Sequence, residues 1–422
     1  MSLETVRAQL VEALAEVDRL LLPPVPPSLW VVGPGENLWS LIESRRDIET
    51  FVLSDGYALD YAGEVSPTRP VTIQAMTPGV PRPRLAMTSL LPAPGTTLVG
   101  VALYGLNPHG AVVRATDGLT ALDCWVRGPA RRGLEVNCAD VTIDRCDVND
   151  IYHTEDAQAI AGWSGTRNLR VRRSTLAASG EVIMFGGADP ASADLIPTDI
   201  EIEDCDLTKP LAWRGVPGRT AKNLFELKNA IGVRMRRCRL SHSWAGGQTG
   251  YAIVLTVRNQ DGRAPWSTIR NVELEDIEVD GCGSGVQILG RDDTRVSNVM
   301  EDVTLRRVTF RDVNPRAWGG GGRQVAISGG PRRLTLEGLS FAGSDLNSFL
   351  SFDQPQHVLE GFIVRGGSYV EGEYGIFGTG APGLGIRCLD VYAPGYLFEG
   401  VTVTGASASG RWINYPAGTI RA

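Results

Sequence analysis

The sequence contains no long apolar segment. No run of apolar residues in its 422 positions approaches the length of about 18 that a membrane-spanning helix needs, so we expect no membrane span. The N-terminal stretch MSLETVRAQLVEALAEV has acidic residues where a secretory signal peptide would have a basic start and an apolar core. If the protein acts outside a cell, we therefore expect it to leave by a non-standard route.

Positive charge and histidine are both scarce. The chain has 41 Lys and Arg residues against 48 Asp and Glu residues, which gives a net charge of −7. Proteins that bind nucleic acid usually present a basic face, so this composition argues against a nucleic-acid partner. The four histidines are well separated, and neither a histidine-based metal site nor a Ser–His–Asp triad is expected.

The chain does contain a repeated pattern, with apolar residues at positions p, p+2, p+5 and p+7 of an eight-residue stretch. The clear copies are VTIDRCDV at Val141, LRVRRSTL at Leu169, IEIEDCDL at Ile200, VRMRRCRL at Val233, VELEDIEV at Val272, VTLRRVTF at Val303 and LTLEGLSF at Leu334, and weaker copies begin at Thr96, Leu119, Phe362 and Tyr396. Intervals of 22 to 39 residues separate them.

Each copy predicts a short strand, a bend and a second short strand. β-Branched residues are frequent in the copies, and their apolar spacing is not the three and four of a helix. The shortest interval is about the minimum for three strands and three turns, so successive copies would stack as coils of a parallel β-helix. The predicted fold class is therefore an all-β solenoid with an N-terminal helix and a helical cap.

Four of the seven cysteines fall at p+5, which is an apolar position in the other copies. These are Cys124, Cys146, Cys205 and Cys238. A disulfide or metal framework is one interpretation of so many cysteines. The sequence lacks CxxC spacing, and free cysteine packs as a small apolar side chain, so an internal stack is favoured.

The two ends of the chain differ from the repeat. Residues 1–22 have apolar residues at heptad spacing and predict an amphipathic, coiled-coil helix. Residues 23–34 form a proline-rich linker, residues 35–95 a cap with the first strands, and residues 96–422 the β-helix. Because the linker is stiff, we favour a helix that self-associates or docks into an assembly over one folded back on the rod.

A second family of strands lies between the copies: AQAIAGW, EVIMFGG, NLFELKN, AIVLTVRN, GVQILGRD, QVAISGG, SFLSFDQ and YGIFGTG. Alignment of their buried positions gives one outward column, namely Trp163, Gly186, Lys228, Arg258, Arg291, Ser328, Asp353 and Gly378. Glu226 lies one outward position before Lys228. This alignment predicts that Lys228, Arg258 and Arg291 stack one coil apart, at about 5 Å.

The coil pattern and the cap resemble the pectate-lyase-like right-handed parallel β-helix superfamily over residues 35–416. The segments VIMFGGADP, KNLFELKN, GYAIVLTVRNQDGRAPWS, GVQILGRDD and YGIFGTG are similar to those of a group of bacterial β-helix repeat proteins. The superfamily includes pectate lyases, pectin-type hydrolases and bacteriophage tailspikes. The resemblance implies a right-handed helix and a long polysaccharide as ligand, although a fold alone does not establish function.

The charged column has two interpretations, which the sequence leaves open. It could be a groove for an acidic glycan, in which arginines bind carboxylates. It could also be a solvated charge ladder with Glu226 and Asp292 as counter-ions. Trp163 would stack on a sugar ring or contact a neighbouring subunit, and Asp353 is a further substrate-binding candidate.

Two reactions fit these residues. In a β-elimination, Lys228 or Arg258 would abstract a proton while Arg291 neutralises the adjacent carboxylate. In a hydrolysis, Glu226 with Asp261 or Asp292 would supply the two carboxylates. No cofactor is expected, because a divalent metal on Glu226 and Asp292 has no compact ligand cluster to support it.

The N-terminal coiled coil, the proline spacer and the β-helix together resemble a phage tail spike or fibre. This resemblance implies a homotrimeric virion protein that docks on tail or baseplate proteins through residues 1–27, and whose β-helix binds or depolymerises a host surface polysaccharide. The alternatives are a bacterial polysaccharide lyase or glycoside hydrolase, and a structural rod without enzymatic activity.

Overall fold

The fold is built mainly from short parallel strands. A computed structural model describes residues 28–79, 81–380, 383–406 and 415–422. Within these ranges 36 strands form one continuous system, and its strand pairs are parallel. The predicted helix of residues 1–22 and the first part of the linker lie outside the described residues.

The strands form three ladders that run along the rod. The first comprises β1 (Leu29–Val32), β2 (Thr50–Leu53), β4 (Thr72–Ala75), β6 (Thr97–Val99), β9 (Thr120–Leu122), β12 (Thr142–Asp144), β15 (Arg167–Arg172), β18 (Thr198–Glu203), β21 (Ala230–Arg236), β24 (Ile269–Cys282), β26 (Glu301–Val313), β28 (Arg332–Glu337), β31 (Ile363–Arg365) and β34 (Leu397–Glu399). The second comprises β3 (Ala58–Val65), β5 (Arg84–Leu90), β7 (Ala102–Gly105), β10 (Trp125–Arg127), β13 (Asp147–Ile151), β16 (Thr175–Ala178), β19 (Asp206–Thr208), β22 (Arg239–Ser243), the ends of β24 and β26, β29 (Ser340–Gly343), β32 (Ser368–Val370), β35 (Val401–Thr404) and β36 (Thr419–Arg421). The third comprises β8 (Ala111–Arg114), β11 (Arg132–Glu135), β14 (Gln158–Gly162), β17 (Ile183–Phe185), β20 (Phe225–Leu227), β23 (Tyr251–Thr256), β25 (Ser284–Leu289), β27 (Arg323–Ser328), β30 (Ser348–Phe352) and β33 (Ile376–Gly378).

The eight-residue pattern sets the register of the first ladder. Its first residues pair in succession across six coils, in the order Leu169, Ile200, Val233, Val272, Val303 and Leu334. All six are buried. The prediction of an all-β parallel β-helix is therefore confirmed, and the first ladder continues N-terminally of Thr96 as far as β1.

The bend inside each copy has a single backbone cause. In all eleven copies the residue at p+4 has a left-handed conformation, with φ from 47° at Arg173 to 68° at Gly100. A non-glycine residue in this conformation is strained, and several copies stabilise it with an ion pair across coils. Arg237 pairs with Asp204 at 2.7 Å, and Arg307 pairs with Asp276 at 2.6 Å.

The residue at p+3 gives the first ladder a column of alternating charge on its outer face. This alternating column runs Asp144, Arg172, Glu203, Arg236, Glu275, Arg306, Glu337, Arg365 and Glu399, each paired in register with the next. Ion pairs join neighbouring members, for example Arg236 to Glu275 at 3.2 Å and Arg365 to Glu399 at 2.8 Å. Exposed pairs of this kind contribute little individually, but each charge lies beside charges of the opposite sign.

One apolar core fills the rod from Val32 to Tyr415. The four p+5 cysteines belong to it, and all seven cysteines are free thiols. The predicted internal cysteine stack is therefore confirmed.

Short helices complete the described structure. They are α1 (Leu38–Ser44), α2 (Pro315–Trp318), α3 (Ile386–Tyr392) and the 3-10 helices Ala193–Leu195 and Leu211–Trp213. At the start of α1, the Asn37 side chain accepts a hydrogen bond from the Ser40 N–H at 3.1 Å, which is a typical N-cap. Leu38 and Ile42 are fully buried in the core, so α1 is the predicted helical cap.

Candidate functional site

The outer face of the third ladder carries an open groove. Three adjoining cavities of about 370, 750 and 100 Å³ share Tyr251 and Gln287, and the second and third also share Arg323. The floor consists of residues that pair in register on β20, β23, β25, β27 and β30, namely Glu226, Val254, Gln287, Ala326 and Ser351. Five coils span about 19 Å along the rod, which is long enough for an extended ligand.

The predicted stack of Lys228, Arg258 and Arg291 is wrong. Leu227 pairs with Leu255 at the end of β20, and beyond it the Arg258 N–H donates to the backbone oxygen of Lys228 at 2.9 Å. Thr256 pairs in turn with Leu289, and Leu289 pairs with Ser328. The two arginines follow the ends of β23 and β25; Arg258 lines the first cavity together with Lys228, whereas Arg291 does not.

Glu226 and Lys228 form the centre of the first cavity. The Glu226 side chain is almost fully buried, and its Oε1 lies 3.5 Å from the Lys228 Nζ. Its Oε2 accepts hydrogen bonds from Asn223 Nδ2 at 2.7 Å and from Gln248 Nε2 at 3.4 Å. The carboxylate is thus held by three groups, while Lys228 retains some exposure to the groove.

A cluster of buried charges lies behind Glu226, and sequence reasoning missed it. Lys222 Nζ lies 2.8 Å from Asp156 and 3.2 Å from Glu181, and Gln158 donates to Glu181 at 2.8 Å. Burial raises the pKa of the fully buried Glu181 carboxyl to about 8, and the carboxylates of Glu226 and Asp156 act in the same direction. A perturbed group beside a cavity is a common mark of a functional site.

Lys209 extends this cluster into the core. Its ammonium is completely buried and donates to the backbone oxygens of Asn223 at 2.9 Å and Ala178 at 3.3 Å. Burial lowers its pKa to about 7. Asn223 therefore connects Lys209, through its backbone, with Glu226, through its side chain.

Arg258 also lines the first cavity, but a carboxylate already pairs with it. Its guanidinium contacts Asp293 and lies 3.9 Å from Asp292. Asp292 is buried and accepts backbone hydrogen bonds from Asn259 at 2.8 Å and Thr294 at 2.9 Å. Burial raises the pKa of Asp292, but these hydrogen bonds outweigh it and hold the pKa below its usual value, so Asp292 stabilises a turn.

Arg291 is bound to a backbone oxygen outside the three cavities. Its Nε donates to the backbone oxygen of Gly329 at 2.9 Å, and it does not line any of the three cavities. Burial and the nearby Arg332 lower its pKa. The structure therefore does not bring Arg291 together with Lys228.

Asp261 lies on an exposed loop that follows β23. Its carboxylate pairs with Arg263 at 2.8 Å, and its N–H donates to Asp189 at 3.0 Å. Neither Asp261 nor Asp292 lines a cavity with Glu226. The carboxylate pair predicted for hydrolysis is therefore not assembled in this structure.

Trp163 and Asp353 lie towards the two ends of the same face. Trp163 follows β14 two coils before Lys228, and the Arg132 guanidinium lies over its ring at 4.7 Å. Asp353 lines the third cavity, and its Oδ1 accepts the Gln354 N–H at 2.8 Å.

Within the ranges described, His, Cys, Asp and Glu residues do not form a group of three or more that could hold a metal ion. No helix in the same ranges is long and apolar enough to cross a membrane.

Known proteins resemble this chain in structure. No protein-family model matches the sequence, and no curated protein does. The catalytic domain of a GH87 alpha-1,3-glucanase variant in complex with tetrasaccharides matches 94% of this chain with a TM-score of 0.55 and 11% identity. The chain therefore shares the parallel β-helix fold with this catalytic domain.

Further solved structures match less closely. The catalytic unit of a GH87 alpha-1,3-glucanase from Streptomyces thermodiastaticus matches 95% of this chain with a TM-score of 0.45 and 11% identity. A mannuronic acid specific family 6 lyase from human gut microbiota matches 94% of this chain and 91% of its own, with a TM-score of 0.37 and 11% identity. The present chain spans 66% of the first glucanase chain and 68% of the second.

Proposed function

We propose that the groove binds a polysaccharide and that Glu226 and Lys228 lie at its cleavage centre. The continuous polar groove along five coils carries this proposal, because an extended sugar chain could contact several coils at once. The likeness to a glucanase catalytic domain with bound tetrasaccharides supports the ligand class. The buried charges behind Glu226 support a centre at that end of the groove.

The groups that line the first cavity favour a β-elimination. Glu226 is the one carboxylate among its described lining residues, whereas hydrolysis by the usual route needs two. In its neutral amine form, the Lys228 Nζ would take the proton next to the uronate carboxylate, a carbon–carbon double bond would form, and the bond to the departing sugar oxygen would break. The Tyr251 hydroxyl would give that oxygen a proton, and burial raises the pKa of this phenol.

The test is cleavage of a panel of bacterial surface and plant polysaccharides. Ultraviolet absorbance of the unsaturated product reports elimination, and new reducing ends report any cleavage. We expect Lys228→Ala to lower the rate by about 10²-fold or more, because a positioned base contributes that much. Glu226→Gln should also lower it, because the carboxylate positions the Lys228 Nζ at 3.5 Å.

Arg234→Gln is the matched control, since Arg234 is exposed on the first ladder. It should cleave like the unaltered protein. If new reducing ends appear without ultraviolet absorbance, the reaction is a hydrolysis and not an elimination. Full activity in both Lys228→Ala and Glu226→Gln would contradict a cleavage centre at these residues. If the protein binds a polysaccharide but releases no products, it is a binding protein and not an enzyme.

We further propose that this groove belongs to a trimeric spike on a phage virion, attached to tail or baseplate proteins through residues 1–27. The heptad and the proline-rich linker support this proposal. A free bacterial lyase is the second candidate.

A further inference from the structure

Charges at the two ends of the groove are compensated differently. In the first cavity Lys228 is paired with Glu226, and Arg258 with Asp293. In the second and third cavities the cation is Arg323. No described carboxylate forms an ion pair with Arg323, whose surroundings are the Tyr251 phenol and the Phe377 ring, with the ring centroid at 5.7 Å.

Arg323 is also partly removed from water. Arg323 is only partly exposed at the start of β27, and the adjacent Tyr251 is buried. A partly desolvated guanidinium without a counter-ion is costly, and it favours an anionic ligand that can accept two hydrogen bonds. Asp353 shares the third cavity, but it is exposed and its Oδ1 already accepts the Gln354 N–H.

Polar atoms around Arg323 also lack partners. Asn347 lines the second cavity and Ser351 lines the third, and Asn347 Oδ1 and Ser351 Oγ are buried atoms without a hydrogen bond within the described structure. Ser351 as a whole is only 3% exposed. Native proteins seldom leave buried polar atoms unpaired, so two such atoms beside an uncompensated cation point to groups supplied by a ligand.

We infer that Arg323, with Asn347 and Ser351, forms a subsite for an anionic sugar unit, next to Tyr251, which lines all three cavities. The guanidinium binds its carboxylate or acidic ester, and the neutral side chains bind its hydroxyls. The inference rests on the proposed function, because it assigns the recognition of charge to the end of the groove opposite Lys228. A plain solvated arginine is the alternative, and it predicts no dependence of binding on ligand charge.

The test measures binding of three tetrasaccharides by calorimetry: one of hexuronic acid units, one of sulfated hexose units and one of neutral hexose units. We expect an acidic tetrasaccharide to bind at least tenfold more tightly than the neutral one. Arg323→Gln should lose about 10- to 100-fold in affinity for that ligand and leave the neutral one unchanged. The affinity of Arg323→Lys for the acidic ligand should lie between those of the unaltered protein and Arg323→Gln, because lysine keeps the charge but not the paired donors.

Arg234→Gln again serves as the control, and thermal unfolding checks that each variant is folded. Preference for the uronate assigns a carboxylate to the subsite, and preference for the sulfated ligand assigns an ester. Equal binding of all three ligands, or an unchanged preference in Arg323→Gln, would overturn the subsite while the groove still binds sugar. Absence of binding to all three would overturn the subsite together with its basis in the proposed function.

Discussion

Among single residues, Glu181 illustrates what burial does to a charge. Its carboxyl is fully buried, and burial raises its pKa to about 8 from an ordinary value of 4.5. Between these two values the folded state keeps a proton that the unfolded state has lost. The stability associated with Glu181 is therefore complete below about pH 4.5 and is lost as the pH rises towards 8.

Glu181→Gln should remove this dependence, because glutamine has the same shape and does not titrate. Relative to the variant, the unaltered protein should lose up to about 1.4 kcal/mol of unfolding free energy per pH unit across that window. Denaturant titrations at several pH values measure the difference. Parallel pH profiles for the two proteins would show that Glu181 is ionised throughout and would contradict its raised pKa.

At the level of the structural element, the bend at p+4 sets the shape of each coil. Gly338 occupies this position with φ of 65°, and a Cβ added there would meet its nearest atom, on Arg307, at 3.6 Å. Space is thus available, and only the backbone conformation opposes a side chain. Gly338→Val should destabilise the protein by about 1–2 kcal/mol. Gly338→Asn should destabilise it less, because asparagine tolerates the left-handed backbone conformation. Equal melting temperatures for the two variants would contradict a conformational role for the bend.

The elements also show what the sequence could predict. In the first ladder a strand, a bend and a strand recur with fixed spacing, so the apolar pattern determines both face and register. In the third ladder Ile253 and Leu255 alternate along β23, and Val257 directly follows it. All three are buried, so an alignment shifted by two residues would bury the same face. The alternation was therefore predicted correctly, and the column of Lys228 was not.

The site was predictable only in part for a related reason. Glu226 lies on β20 and Lys228 directly follows it, and the alternation of the sequence identified both. Gln248 belongs to a loop between strands, and Tyr251 and Arg323 stand at strand starts, where alternation does not specify which residues line a groove. The buried position of Glu181 depends on neighbouring coils, which a sequence pattern does not specify.

For the whole molecule, the rod is a stack of coils in which each contacts its neighbours. The heptad of residues 1–22 lies outside the described residues, and we propose that it joins three such rods. Sedimentation of the full chain should then give the mass of three 45.4 kDa chains, and removal of residues 1–27 should reduce it. A single-chain mass in both cases would contradict a trimer that forms without other virion proteins.

The alternating column also bears on how the rod can change length in evolution. Loss or duplication of one coil would place two like charges side by side at about 5 Å, where they repel. Loss or duplication of two coils would preserve the order of signs from Asp144 to Glu399. Homologues of this protein should therefore differ by an even number of coils across this region.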